Sequence, residues 1–197
     1  MCKLLLVAIC RTGTLTLPRN RAGRKCECPG SAAGFTLVEL LIVIAIIAVL
    51  AALAIPGLLR ARISGNEASA IASLRAISTA QATFARSCSD GFYAKQLDTL
   101  GSGPSGQQPF LSPDLGAAAT VTKSGYQFSI DGTAASGTAC NGSTSLASGY
   151  HSWADPISSN QGNRYFGSNT TNTVWQSSST LSGMSDTATP SNASTIQ

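Results

Sequence analysis

From Phe35 to Ile55 the chain is apolar at every position except Thr36 and Glu39, with neither glycine nor proline before Pro56. At about 1.5 Å of rise per residue, a helix of this length is roughly 31 Å long, the thickness of a bilayer's hydrocarbon core. Beyond Pro56-Gly57 the pattern changes. Leu59, Ile63, Ala70, Ile71, Leu74, Ile77, Gln81 and Phe84 recur at three- and four-residue steps, while Arg62, Glu67, Ser73, Arg75 and Ser78 take other positions. That spacing predicts an amphipathic helix with one apolar stripe. Proline removes a backbone donor and crowds the preceding turn, so a kink is expected at Pro56. Ser64-Gly-Asn-Glu67 reads either as a capping box that restarts the helix or as a soft spot within it. The stripe keeps its phase across Gly65, which favours near-continuity.

From Ser87 onward Gly, Ser, Thr and Asn dominate, and turn signals are frequent: Ser89-Asp-Gly91, Gly101-Ser-Gly-Pro104, Asp131-Gly132 and Asn141-Gly142. Tyr126, Phe128 and Ile130 alternate with Gln127 and Ser129, the mark of a strand with one buried face. Tyr150-His-Ser-Trp153, Arg164-Tyr-Phe166 and Thr173-Val-Trp175 are weaker strand candidates. Gln107 to Gly116, with Pro109 and Pro113, reads as a loop joining helix to sheet. The expected architecture is α+β, a long kinked N-terminal helix packed through its stripe on a small C-terminal antiparallel sheet. Ser177 to Gln197 is rich in Ser and Thr, almost without large apolar residues after Met184, and reads as a disordered tail.

Charge is distributed unevenly. The formal net charge is +4, yet six basic residues face one acidic residue upstream of Phe35, whereas seven face eight from Phe35 onward. The basic character belongs to residues 1–34, so it does not point to a nucleic-acid partner. Lys and Arg before a membrane helix hold that side in the cytoplasm, which predicts the N-terminus inside and the C-terminal part outside. Arg60 and Arg62, just past the far end, weaken this bias without reversing it.

Glu39 is the odd residue in this segment, since a carboxylate in mid-membrane costs on the order of 2.5–3.5 kcal/mol. One reading is a plain anchor whose Glu39 snorkels to the headgroups. The residues Gly34-Phe35-Thr36-Leu37-Val38-Glu39, with the aliphatic run ending in Ala54-Ile55-Pro56, resemble the N-terminal signature of type IV pilins and the related type II secretion pseudopilins. The segment Asn66 to Gln81 is similar to the second half of the long helix in such proteins, and beyond Cys88 the likeness fades to a general pattern.

The resemblance implies a leader, residues 1–34, removed by a membrane prepilin peptidase between Gly34 and Phe35, followed by N-methylation of Phe35. Glu39 would become the fifth residue of the mature chain. Glu39 and Pro56 would serve assembly of a homo-oligomeric helical filament. The implied divisions are 35–56 (membrane and polymerisation helix), 57–87 (amphipathic continuation), 88–176 (globular sheet domain) and 177–197 (tail). The implied function is a structural subunit of a type IV pilus, held in the bacterial inner membrane before assembly, with the peptidase and the assembly machinery as partners. A secretion pseudopilin and a non-polymerising membrane-anchored binding module are the alternatives. Many major pseudopilins carry an acidic calcium loop, and the absence of such a cluster mildly favours a pilin. The leader is long for the family, either as a lineage feature or because Met1 lies upstream of the true start. Leu4 to Ile9 is too short to span a bilayer.

Once the leader is excluded, with Cys2, Cys10, Cys26 and Cys28, only Cys88 and Cys140 remain. Two cysteines in an exported domain suggest one disulfide, the alternative being two separate thiols. Cys26-Glu-Cys28 has the wrong spacing for a zinc knuckle. His151 is the one histidine. Asp131 and Asp155 are the carboxylates that would have to join it at a metal, but no spacing brings them together, and a surface or structural histidine beside Trp153 is the expectation. No nucleophile elbow or phosphate-binding glycine loop is present, so no enzymatic activity, cofactor or metal is expected. Asn141-Gly-Ser143, Asn169-Thr-Thr171 and Asn192-Ala-Ser194 fit a glycosylation acceptor pattern at the frequency chance allows in so Asn-, Ser- and Thr-rich a chain.

Overall fold

The computed structural model describes residues 34–196. Residues 1–33 of the leader, with its short apolar run and its four cysteines, lie outside the described residues. Helix α1 runs from Leu37 to Ser87, 51 residues, and continues through Pro56 without a break. The chain divides into two units between Ile47 and Ala48.

In the first unit the helix start is set by a capping box. Glu39 Oε2 accepts from the Thr36 backbone N–H at 2.9 Å and from Thr36 Oγ1 at 2.8 Å, while Thr36 Oγ1 accepts from the Glu39 N–H at 3.2 Å. Two of the donors that a helix start leaves unpaired are thereby satisfied reciprocally.

In the second unit the apolar stripe is buried from Ala70 onward, through Leu74, Ile77 and Phe84. Leu59, in phase with them, remains exposed. Gln81 shares the stripe because its amide copies a strand. Its Nε2 donates to the Ala94 carbonyl at 2.7 Å and its Oε1 accepts from the Ala94 N–H at 2.9 Å. The helix stops after Ser87, where Asp90 and Gly91 both take positive φ and the Gly91 N–H returns to the Ala85 carbonyl. Asp and Gly tolerate that left-handed region where branched residues do not.

Among the described residues nine strands follow, paired antiparallel throughout. β1 (Tyr93–Ala94), β4 (Ala134–Ala135) and β5 (Leu146–Ala147) form a small sheet in the order β1-β5-β4. The main sheet has the order β2-β3-β6-β7-β8-β9: β2 (Thr120–Lys123), β3 (Tyr126–Asp131), β6 (His151–Pro156), β7 (Tyr165–Asn169), β8 (Val174–Ser177) and β9 (Ser194–Thr195). Two short helices, α2 (Leu97–Gly101) and α3 (Pro113–Gly116), lie in the connection from helix to sheet. The expected loop at 107–116 thus ends in a helical turn, with Pro113 in its first turn, where a missing N–H costs nothing. Strand β2 escapes the alternation test because Val121 is its one apolar residue. Its hairpin with β3 turns at Ser124 and Gly125, both at positive φ as a two-residue primed turn requires.

Tyr126, Phe128, Ile130, Ala154, Phe166 and Val174 line the inner face of the sheet and share one core with Leu74, Ile77 and Phe84 of α1. Polar ties run beside it. Glu67, buried on α1, accepts from Arg164 Nε at 2.8 Å, from Arg164 Nη2 at 2.5 Å and from the Asn163 N–H at 3.2 Å. Ser78 and Ser168 hydroxyls meet at 3.0 Å. Burial pushes the Tyr126 hydroxyl well above its usual range, and it donates to the Arg164 carbonyl at 2.9 Å. Cys88 and Cys140 form a disulfide with Cα atoms 4.8 Å apart, joining the end of α1 to the loop between β4 and β5.

The expectation of a disordered tail is corrected for residues 178–196. Leu181 and Met184 are buried in a second apolar cluster with Trp175, and β9 pairs with β8. Asn169 Nδ2, wholly buried, donates to the carbonyls of Ser185 and Ala188 at 3.0 and 3.1 Å. Composition predicted disorder because apolar area in this stretch is scarce. Side chains of the sheet supply the hydrogen bonds that its backbone needs.

Two outcomes are expected of this fold. Non-reducing peptide mapping should recover one Cys88–Cys140 link, and its removal in Cys88→Ser/Cys140→Ser should lower stability by about 4 kcal/mol on the chain-entropy model for the 52-residue separation. Arg164→Ala strands the buried Glu67 carboxylate and should cost about 1.5–3 kcal/mol in denaturant unfolding, the scale of bonds to a charged group.

Candidate functional site

Gly34, Phe35 and Glu39 lie together at the start of the described residues. A side chain added at Gly34 would meet nothing within 4 Å. Phe35 is 77 % exposed. Glu39 sits three residues into the capping box, and both of its bonds land on Oε2, so the exposed carboxylate has capacity for a further donor. The Thr36 cap is a functional contact that the hydrophobic pattern obscured. Its signal, Thr-x-x-Glu ahead of an apolar run, stands in the sequence.

From Phe35 through Ile55 fourteen large apolar side chains are exposed. Leaving each in water instead of burying it costs about 1.5–3 kcal/mol, so the segment carries a penalty of roughly 20 kcal/mol or more. That exceeds the roughly 5–15 kcal/mol by which a domain is stable, so this surface requires a hydrocarbon environment or other helices. Helix α1 is long and apolar enough to cross a membrane. Pro56 lies inside α1, beyond the start of the second unit, and Cys88 and Cys140 are joined within that unit.

His151 does not gather the carboxylates considered from sequence. Its Nδ1 meets Asp186 Oδ1 at 2.7 Å and its Nε2 meets the Ser182 carbonyl at 3.0 Å. Asp131 lies opposite His151 in strand register but pairs with Lys95 at 3.6 Å, and Asp155 accepts from Thr180 at 2.6 Å. An oriented Asp–His pair can serve as a general base, yet the second ring nitrogen faces a carbonyl where a nucleophile's hydroxyl or thiol would have to stand. Among the described residues no group of three or more His, Cys, Asp or Glu is placed to hold a metal. His151 stacks on Trp153 with ring centroids 5.5 Å apart, the structural role expected from sequence. Two of the glycosylation-pattern asparagines are committed: Asn169 as above, and Asn141 Nδ2 to the carbonyls of Thr99 and Ser102 at 3.0 and 2.8 Å.

Residues 30–55 match the family described as the prokaryotic N-terminal methylation motif. The chain is 47 % identical over 67 residues to the type IV major pilin protein PilA of Myxococcus xanthus, an overlap covering 34 % of this chain and 25 % of that protein. It is 68 % identical over 37 residues to the type IV wide pilus major component PilA4 of Thermus thermophilus, 19 % of this chain and 28 % of that one. The chain thus spans about a quarter of the length of the curated relatives it matches. No solved structure matches it. Over its N-terminal segment the chain is therefore similar to type IV pilins, and a long apolar helix followed by an amphipathic part packed on antiparallel strands is consistent with that likeness.

Proposed function

We propose that the chain is a structural subunit of a type IV pilus. It enters the bacterial inner membrane as a prepilin with its N-terminus cytoplasmic, is cleaved by the prepilin peptidase between Gly34 and Phe35, and is N-methylated at Phe35. It then polymerises through its hydrophobic helix under the assembly machinery. The observation that carries this reading is the apolar surface of α1 around Glu39. A bilayer covers such a surface before assembly, and the same surface on neighbouring copies covers it afterwards. The relatives named as pilus components support the same reading. Pro56, past the end of the apolar run, belongs to the segment that would pack in the filament.

Glu39 has two roles here. Within the chain it caps α1. Between chains it pairs with the cationic Phe35 amine that cleavage creates on a neighbouring copy, which sets the register of docking. A charge pair buried among hydrocarbon costs about 3–5 kcal/mol to break, because one charge is left uncompensated.

Mass spectrometry of sheared surface material should show a chain beginning at methylated Phe35. A mature N-terminus elsewhere would overturn the leader assignment. Gly34→Val should abolish processing while leaving the fold intact, since the added side chain meets no neighbour.

Glu39→Gln separates the two roles of the carboxylate, because glutamine preserves a capping box but carries no charge. The variant should insert and be cleaved, yet its yield in sheared filaments should fall on the order of a hundredfold or more, the scale of a broken buried pair. Glu39→Val should fall at least as far. Thr36→Ala, which loses the cap and keeps the charge, should retain most of the yield. Normal filament yield from Glu39→Gln in cells lacking any other pilin would show that Glu39 serves only as a cap or membrane-surface residue.

A further inference from the structure

Arg60 and Arg62 are exposed, and among the described residues neither enters an ion pair. Twenty residues without a charge, Leu40 to Leu59, separate Glu39 from Arg60. As a helix they are about 30 Å long, the thickness of a hydrocarbon core. Leu58 and Leu59 are still exposed, so the apolar surface of α1 ends directly before Arg60. Helical side chains lean toward the N-terminus. The two guanidinium groups therefore fall in the headgroup layer, roughly 5–8 Å thick, that borders the core.

These two arginines share a depth but not their surroundings. Arg60, Ile63, Ser64 and Glu67 recur at three- and four-residue steps and lie along one face of α1. Arg62 is about 200° further round the helix, on the opposite flank. The segment between β6 and β7 is fixed to α1 by Asn66, whose Nδ2 donates to the Gln161 carbonyl at 2.9 Å, and by Glu67, which accepts from the Asn163 N–H and from Arg164. Arg60, Ile63, Ser64, Glu67, Asn163 and Arg164 thereby line one open groove of about 450 Å³, and Arg62 lies outside it.

That groove is polar and carries one net positive charge. Glu67 is its one carboxylate and is neutralised by Arg164, which leaves the charge of Arg60. Arg164 has five N–H groups. Nε and one on Nη2 go to Glu67, one on Nη1 goes to Gln176, and two remain. Arg60 adds five more and Ser64 a hydroxyl. A phosphodiester carries one negative charge on oxygens that a guanidinium fork matches. A zwitterionic headgroup would bring an ammonium up against two guanidinium groups, and an anionic one does not.

We propose that this groove seats the phosphodiester of an anionic phospholipid, held by Arg60 from α1 and by Asn163 and Arg164 from the segment ahead of β7. The inference rests on the reading of the apolar run as a membrane span and does not depend on polymerisation. A seated headgroup joins α1 to residues 157–164 and so steadies the sheet at the bilayer surface before assembly. It also accounts for an arginine on the side of the membrane where positive charge is otherwise scarce.

The test uses the full chain reconstituted in phosphatidylcholine vesicles with and without phosphatidylglycerol. Co-flotation reads insertion, and hydrogen exchange of residues 60–67 and 157–164 reads the groove. Exchange should be slower with phosphatidylglycerol by about fivefold, the effect of one arginine at an anionic surface, and the difference should shrink at high salt. Arg60→Gln should abolish the difference. Arg62→Gln removes the same charge at nearly the same depth but outside the groove, and should keep most of it. Arg60→Lys, a point charge without the fork, should keep part. Both side chains are exposed, so these variants leave the fold intact. A chain that floats yet exchanges alike in both lipids would overturn the groove and leave the membrane reading standing. Equal losses in Arg60→Gln and Arg62→Gln would do the same, since plain surface charge treats the two alike. Slowing by glycerol phosphate in neutral detergent micelles, matching that in vesicles, would assign the groove to a soluble phosphate and overturn the lipid. A chain that does not float would overturn the membrane reading and the proposal together.

Discussion

Everything in this structure depends on how one helix finds cover for its apolar surface. Over its first half α1 is apolar on all sides, and in the second unit its apolar residues narrow to one side. The one-sided part is satisfied by the sheet of its own chain. The all-round part has no such partner, and hydrocarbon exposed on that scale outweighs the stability of a folded domain. Apolar surroundings therefore belong to the folded state, and the proposed function supplies them as a bilayer before assembly and neighbouring copies after it.

The second unit shows how a half-buried helix is held to a sheet without a large core. Ala70, Leu74, Ile77 and Phe84 supply area, and the polar residues in phase with them supply direction. Glu67 receives Arg164, Ser78 meets Ser168, and Gln81 pairs with the backbone of Ala94. Each of these three polar side chains has a partner from the strands or their loops, so its burial costs little. The disulfide then closes the far end of α1, where the chain turns through Asp90 and Gly91.

On its opposite face the sheet solves a different problem. A surface bearing two tryptophans would be left wet if the C-terminal residues were loose. Residues 178–196 cover them with only two large apolar residues of their own, Leu181 and Met184, because glycines at 149 and 167 let them approach closely. Asn169, Thr170 and Ser177 satisfy backbone groups that a polar, Ser- and Thr-rich segment would otherwise leave to water.

Sequence alone determined the elements whose signals are periodic or local. The membrane-length run, the amphipathic continuation to Ser87, the strand at Tyr126–Ile130 and the pilin-like signature at Gly34–Glu39 are all written within a few turns of chain. Nearest-neighbour chemistry suffices to read them, whereas the Thr36–Glu39 capping box, equally local, was hidden by the hydrophobic pattern and came from the structure. Tertiary structure decided what depends on residues far apart in the chain. It paired Cys88 with Cys140 rather than leaving two thiols, gave His151 to Asp186 rather than to Asp131 or Asp155, and drew strands from segments as short as Tyr93–Ala94. It also ordered residues 178–196, whose composition alone reads as disorder. The physical reason is common to these cases. A polar residue or a short strand carries little free energy by itself, so its place is set by the partner that another part of the chain brings to it.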